Sequence, residues 1–201
     1  MKQNRLRNLI LAGSIFITLT ALAQDNYILK SAKANIQGTS SLHDWQSEIS
    51  NLQCKGSFVL KNGIVKAVKS AEVKILVQGI KSTKGKTMDK KTYEAFKSDQ
   101  YPYIIYTLNS EHIKSDYENV ATVEASGSLA MAGTTKPILL TAEVKVLANG
   151  DLQLSVSKKI KMTDYQMERP TAVLGTITVG DEVTVTFVLV LTPLIVTVKK
   201  I

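Results

Sequence analysis

Apolar and polar residues alternate along most of this chain with a period of two, the pattern of strands that have one dry and one wet face. Val73, Ile75 and Val77 oppose Glu72, Lys74 and Gln78, with Leu76 the exception. Ala121, Val123, Ala125, Gly127, Leu129 and Met131 alternate with Thr122, Glu124, Ser126 and Ser128. The same rhythm runs through residues 138–146, 152–157 and 183–191. Turn residues punctuate it, because asparagine and glycine tolerate the positive φ of tight hairpins. Asn62-Gly63 joins residues 57–61 to a strand from Ile64, Ser115-Asp116 joins 103–113 to 118–131, and Asn149-Gly150 joins 138–147 to 152–160. Gly180-Asp181 is expected to precede the last long strand. Long strands in up-and-down order suit a coiled sheet, and closing that sheet removes its edges. The expected fold class is all-β, an antiparallel up-and-down β-barrel in preference to a flat sandwich.

One interval breaks the alternation. With Thr87 as N-cap, Met88, Thr92, Ala95 and Phe96 recur at helical spacing and predict a short helix near residues 87–98, lying over the barrel or plugging one end. It should end before Tyr101-Pro102, since proline biases its predecessor towards extended backbone. Residues 163–175, with Arg169-Pro170, read as a loop holding at most one helical turn.

The N-terminus has a different character. Residues 1–7 are short and basic, 9–22 are largely apolar, and Ala21-Leu22-Ala23 has the small-x-small form read by a signal peptidase. The expectation is a cleavable signal peptide over 1–23, followed by a single domain over 24–201. An uncleaved anchor is the alternative, but the apolar run falls short of the roughly 18 to 20 residues that cross a bilayer. Of 25 basic residues, Lys2, Arg5 and Arg7 lie in the leader, leaving 22 against 17 acidic and a net charge of +5. That modest excess, with Arg169 the one remaining arginine, gives no nucleic-acid signature. Cys54 is the sole thiol, so no internal disulfide forms, and it reads as a packed small hydrophobe.

Reactive chemistry is sparse. Only His43 and His112 are present, no Gly-x-Ser-x-Gly elbow occurs, and His43, Asp44, Cys54 and His112 lack the short spacings of a zinc site. Neither a catalytic residue, a metal nor a cofactor is therefore expected, and Asp181-Glu182 reads as a solvated turn. The inward rows are apolar, and Ala32, Ala121, Ala125, Gly127 and Ala142 are small enough to leave room for a ligand; the alternative is an interior filled by side chains. Lys81, Lys84, Lys86, Lys90 and Lys91 form a solvated face or a contact for anionic membrane head groups.

Gly38-Thr39-Ser40-Ser41-Leu42-His43-Asp44-Trp45 is followed by Met88-Asp89-Lys90-Lys91-Thr92-Tyr93, Tyr101-Pro102 and Gly133-Thr134-Thr135-Lys136-Pro137. Lys161-Met162-Thr163-Asp164-Tyr165 comes next, then Gly175-Thr176 ahead of Gly180-Asp181-Glu182-Val183. In order and spacing this series resembles the YceI-like family of exported polyisoprenoid-binding proteins over residues 27–192. The resemblance implies a lipocalin-like barrel of eight strands with a helix across it, a periplasmic location, and a long isoprenoid or quinone-like lipid in an apolar interior. It implies no triad and no metal. The helix is shorter and more basic than the family form, and residues 194–201 run past the family pattern.

Taken with the dry inner face, the resemblance makes a periplasmic lipid-binding or carrier protein the expected function, with Trp45, Phe58, Tyr106, Met131, Leu154 and Phe187 as cavity-lining candidates. Ordinary core packing is the competing role for each. His43-Asp44-Trp45 has a second reading as a structural corner in which the indole N–H finds an acceptor. Two other functions stand beside the carrier: a filled interaction or envelope-stress scaffold, and an isoprenoid-processing enzyme with His43 as base and Asp44 as its orienter. In the scaffold reading the basic helix or the tail at 194–198 docks a partner, and the apolar tail also makes pairing into a homodimer conceivable.

Overall fold

The computed structural model describes residues 24–172 and 175–194. The expected leader and nearly all of the C-terminal tail lie outside the described residues. In chain order the elements are β1 (Gln24–Ser40), β2 (Trp45–Ile49), β3 (Leu52–Lys61), β4 (Ile64–Leu76), β5 (Ile80–Ser82), α1 (Lys86–Ala95), β6 (Tyr103–Tyr117), β7 (Val120–Met131), β8 (Thr134–Val146), β9 (Leu152–Lys161), β10 (Thr171–Ala172) and β11 (Ile177–Pro193). Eight of these strands form an antiparallel ring in the order β1, β3, β4, β6, β7, β8, β9, β11, and the β11–β1 ladder closes it. The architecture is the expected one.

Two of the staves are broken in the middle. β2 and β3 pair with β1 in a single register, Asn35 opposite Glu48 and Ile28 opposite Lys55, so they are one strand interrupted at Ser50-Asn51. β4 and β5 are likewise separated by a 3₁₀ turn at Val77–Gly79. The two breaks are tied together: Ser50 N–H donates to the Gly79 carbonyl and Leu76 N–H to the Asn51 carbonyl, each at 3.0 Å. A side chain at Gly79 would meet Asn51 at 2.7 Å, so only glycine fits there. Leu76 breaks the alternation because the strand ends at it.

Two expected turns are strand instead. β6 continues through Ser115-Asp116 to Tyr117, and the reversal falls at Glu118-Asn119, with Glu118 at φ 51°. Irregularities between Leu108 and Ser110 and between Ile113 and Ser115 shift the register until Tyr117 opposes Val120. Asn119 then fixes the turn, its carbonyl accepting from Val146 N–H at 2.8 Å and its side-chain amide donating to the Val146 carbonyl at 2.9 Å. Gly180-Asp181 lies inside β11, where the pairing with β1 jumps from Gly38–Val183 to Ser40–Val179. Gly180 is needed because a Cβ there would sit 2.4 Å from Thr39 Oγ1. Ala132-Gly133, both at positive φ, makes a hairpin turn that the alternation does not mark. The helix begins one residue before Thr87, with Gly85 at its N-cap position and no side-chain cap; Asp89 instead accepts from Ser82 N–H at 2.6 Å.

The barrel is dense at one end and loose at the other. At the hairpin end Val65, Ala121, Leu152 and Leu191 are 0–1% exposed, and Tyr27 meets Phe58 edge-on at 5.5 Å. At the other end sit α1, the 40–45 corner and the turn after β9. Two ladders stop short: β8 pairs with β9 only from Ala142–Val156 to Val146–Leu152, and β4 with β6 only over Glu72–Leu76. Pro137 falls in the part of β8 that lacks a β9 partner, a position where a missing N–H is tolerated. Where β4 and β6 diverge, Glu111 accepts from Val68 N–H at 3.3 Å and Lys66 pairs with Asp116.

Cys54 is buried on the inner face, and burial pushes its thiol up to about 12. It should resist a disulfide-exchange reagent at pH 8 in the native protein and react fully in denaturant; rapid native labelling contradicts the packing. Asp181 accepts from the hydroxyl and N–H of Thr163 at 2.7 and 2.9 Å, which holds its carboxyl below the ordinary range. Its contribution to stability is therefore present above about pH 3.9 and is lost as pH falls through the depressed native value. Asp181→Asn should flatten the acid limb of melting temperature against pH; an unchanged limb rejects the assignment.

Candidate functional site

The inner rows at the helix end do not meet, and between them lies a cavity of ≈ 390 Å³. That volume is within the range of small-molecule sites, and the lining is overwhelmingly apolar. α1 forms the roof through Met88, Thr92, Ala95 and Phe96, the stripe expected from the sequence. Tyr93 holds the roof down, its hydroxyl within 3.0 Å of the Gln78 carbonyl and 3.2 Å of the Ile80 carbonyl. Phe58 and Val144 border the cavity at its inner limit.

Trp45, Phe58, Tyr106, Met131, Leu154 and Phe187 all border this space. The corner reading of Trp45 is also present. Its indole N–H donates to the Thr39 carbonyl at 2.9 Å, and its ring covers Gly38, where a Cβ would approach to 2.5 Å. Ser40 fastens the same corner, its hydroxyl donating to the His43 carbonyl at 2.7 Å and accepting from His43 N–H at 3.1 Å. Ser41 ties the corner to β11 by donating its N–H to the Thr178 carbonyl and accepting Thr178 N–H on its hydroxyl. Phe58 serves the core as much as the cavity, being 1% exposed against Tyr27.

The small residues divide. Ala125 and Ala142 border the cavity, whereas Ala121 is consumed by packing and Ala32 is exposed. Gly127 leaves no room, because the Tyr106 ring lies over it and a Cβ would be 2.4 Å from that ring. The buried Tyr106 hydroxyl has no hydrogen-bond partner among the described residues, and burial raises its pKa above the ordinary tyrosine value.

His43 lines the cavity, but its Nδ1–H donates to the backbone carbonyl of Asp44 at 2.9 Å, and no carboxylate among the described residues is hydrogen-bonded to the ring. The base-and-orienter pairing is thus not formed. His112 is exposed on β6, and no group of three His, Cys, Asp or Glu side chains converges among the described residues. The sequence reading missed Met162 and Met167, which close the side of the roof from an irregular segment without periodicity. It also missed Lys158, which the period of two places in the row of Leu154, Val156 and Ile160. Where β8 and β9 part, a cleft opens on the outer wall, and Ile138, Lys158 and Ile160 border both cleft and cavity.

The fold has solved counterparts. One is BcnA of Burkholderia cenocepacia, with a TM-score of 0.64 at 16% identity, covering 80% of this chain and 96% of that one. Another is a polyisoprenoid binding domain from Saccharophagus degradans implicated in plant cell wall breakdown, with a TM-score of 0.64 at 16% identity, covering 83% of this chain and 98% of the other. At such identities the likeness is one of fold. No curated protein matches the sequence. The YceI-like domain model matches residues 27–191, almost the whole barrel from β1 to β11, and the chain belongs to the YceI-like family.

Proposed function

We propose that this protein binds and carries a long apolar lipid, a polyisoprenoid or quinone-like molecule, with its chain in the cavity beneath α1. The observation that carries this reading is an unfilled, almost wholly apolar interior roofed by a helix in an otherwise densely packed barrel. Trp45, Tyr106, Met131, Leu154 and Phe187 are the wall that the chain touches, and Phe58 its floor. A solved domain of this fold is described as polyisoprenoid-binding, which supports the choice of ligand class. The basic, apolar and small-residue order of residues 1–23 supports export to the periplasm, where a lipid needs a sheltered path through water.

The energetics favour a long ligand over a short one. Each buried CH₂ contributes about 0.8 kcal/mol, hence roughly 3 to 4 kcal/mol per five-carbon unit. Association costs something like 4 to 15 kcal/mol, so more than one unit must be buried before binding is useful. The catalytic alternative lacks an oriented base in this geometry.

Organic extraction of protein purified from its native envelope should release a lipid at about one equivalent, seen as a mass shift in native mass spectrometry. Ala125→Phe and Ala142→Phe introduce bulk into the cavity from β7 and β8 and should lower lipid occupancy at least about tenfold while leaving the fold intact. Full occupancy in both variants, or repeated recovery of empty wild-type protein that takes up no prenyl chain, overturns the proposal.

A further inference from the structure

The outer surface around α1 is basic, and one apolar side chain stands out beside it. Residues 81–97 hold six lysines against Asp89 and Glu94, an excess of four in a chain whose residues 24–201 total +5. Lys84, Lys86, Lys90 and Lys97 are exposed, and Lys91 is half-buried. Lys84, Lys86, Lys91 and Lys97 form no ion pair among the described residues, and Lys90 lies 3.9 Å from the exposed Glu94. Asp89 does little to offset them outward, since it is buried and accepts from Ser82 N–H. Asp44 and Asp99 flank the patch without an ion pair to any of these lysines. Leu42, in the 40–45 corner, is 65% exposed and borders the same cavity as Lys84 and Lys91. The corner holds it in place: Leu42 N–H donates to Ser40 Oγ at 3.3 Å, and Ser41 pins the corner to β11. Thr83 ties the turn that carries Lys84 to β2, its N–H donating to the Gln46 carbonyl at 3.2 Å.

An exposed apolar side chain alone marks nothing. Tyr117, at the hairpin end, is 76% exposed, but Asp116 and Glu118 flank it. That end also carries Asp25 and Asp151 against Lys61, while Lys66 and Lys30 are spent on Asp116 and Asp151, so it has no positive excess. Basic charge and an exposed leucine coincide only at the α1 end. We infer that the α1 end is a docking surface for an anionic lipid bilayer, with Lys84, Lys86, Lys90, Lys91 and Lys97 among the head groups and Leu42 at the boundary with the acyl chains. In such contacts buried apolar area and attraction to anionic lipid add. The patch is built of lysines, point charges on flexible stems, which suit a fluid sheet of head groups; a fixed carboxylate on a folded partner favours the planar fork of arginine. Docking in this way sets the roof of the cavity against the bilayer. The surface goes beyond the carrier reading and stands whatever the cavity holds.

The test is co-sedimentation of the mature chain with phosphatidylcholine vesicles, with and without about one-third phosphatidylglycerol. At low salt, partitioning onto the anionic vesicles should be at least about tenfold greater, and the gap should close in 1 M salt, where the screening length is about 3 Å. K84Q/K86Q/K90Q/K91Q, with the melting temperature of the wild type as its proof of folding, should lose about tenfold or more, since each lysine near such a surface is worth roughly fivefold. Leu42→Ser should weaken binding about threefold at either salt. Orientation is read separately, from Leu42→Cys and Tyr117→Cys carrying a polarity-sensitive dye; the buried Cys54 stays unlabelled. The dye at 42 should shift to the blue on anionic vesicles and the dye at 117 should not, and this pair decides the matter should the quadruple variant fail to fold. Equal binding to both vesicles, a folded quadruple variant that binds as the wild type does, a shift at 117 in place of 42, or capture of an acidic protein by these lysines without vesicle binding overturns the surface. Protein that yields a lipid on extraction yet ignores anionic vesicles keeps the carrier reading and loses this one; protein that docks but is empty does the reverse.

Discussion

The ladder between β1 and β11, from Tyr27–Pro193 to Ser40–Val179, is the constraint on which everything else depends. Without it the remaining strands make an open sheet whose apolar face would lie against water and whose edge strands would be free to pair with other chains. Once the ladder forms, the inner rows face one another, and an eight-stranded ring is just wide enough for side chains to fill or for one small ligand to enter. In this chain side chains fill one end and a cavity remains at the other. Tyr27, Phe58, Leu152 and Leu191 consume the space at the hairpin end, while Ala125 and Ala142 fail to span it at the other.

The wall itself was readable because burial in a strand has a period of two and the chain keeps to it. β7 and β9 follow their alternation residue by residue, and the apolar stripe of α1 names its cavity face. Legibility failed where backbone geometry, not composition, decides. Ser115-Asp116 has turn chemistry, yet two irregularities in β6 carry the strand past it. Gly180 looks like a turn glycine, yet it is glycine because Thr39 crowds it. Gly127 was read as free volume, and the space belongs to the Tyr106 ring from the adjacent strand. That neighbour is a matter of strand order and register, which a local pattern does not contain. Met162 and Met167 reach the cavity from a segment with no period at all.

The site residues divide along the same line. Large apolar residues at inward phase were bound to meet the interior, so bordering the cavity distinguishes them little from the core. Lys158 carries more information because it obeys the phase and breaks the chemistry. Its immediate neighbour Lys159 has the opposite phase, lies exposed and pairs with Glu182. Local rules broken in this way mark places where packing and function pull apart.

Apolar burial is non-directional, so a greasy tube alone neither orients its cargo nor fixes which end of the barrel exchanges it. The architecture supplies that asymmetry. Leaving through the hairpin end would separate Tyr27 from Phe58 and uncover side chains that are almost wholly buried. At the other end α1 has no place in the ladder: it lacks a side-chain N-cap and is joined to the barrel wall through the three-residue β5 and the Tyr93 hydroxyl. Opening that roof breaks fewer hydrogen bonds than parting the ladder, which places it towards the low-stability end of the molecule. The element that covers the apolar cavity is thus also the part of the wall with the fewest ties to the ladder.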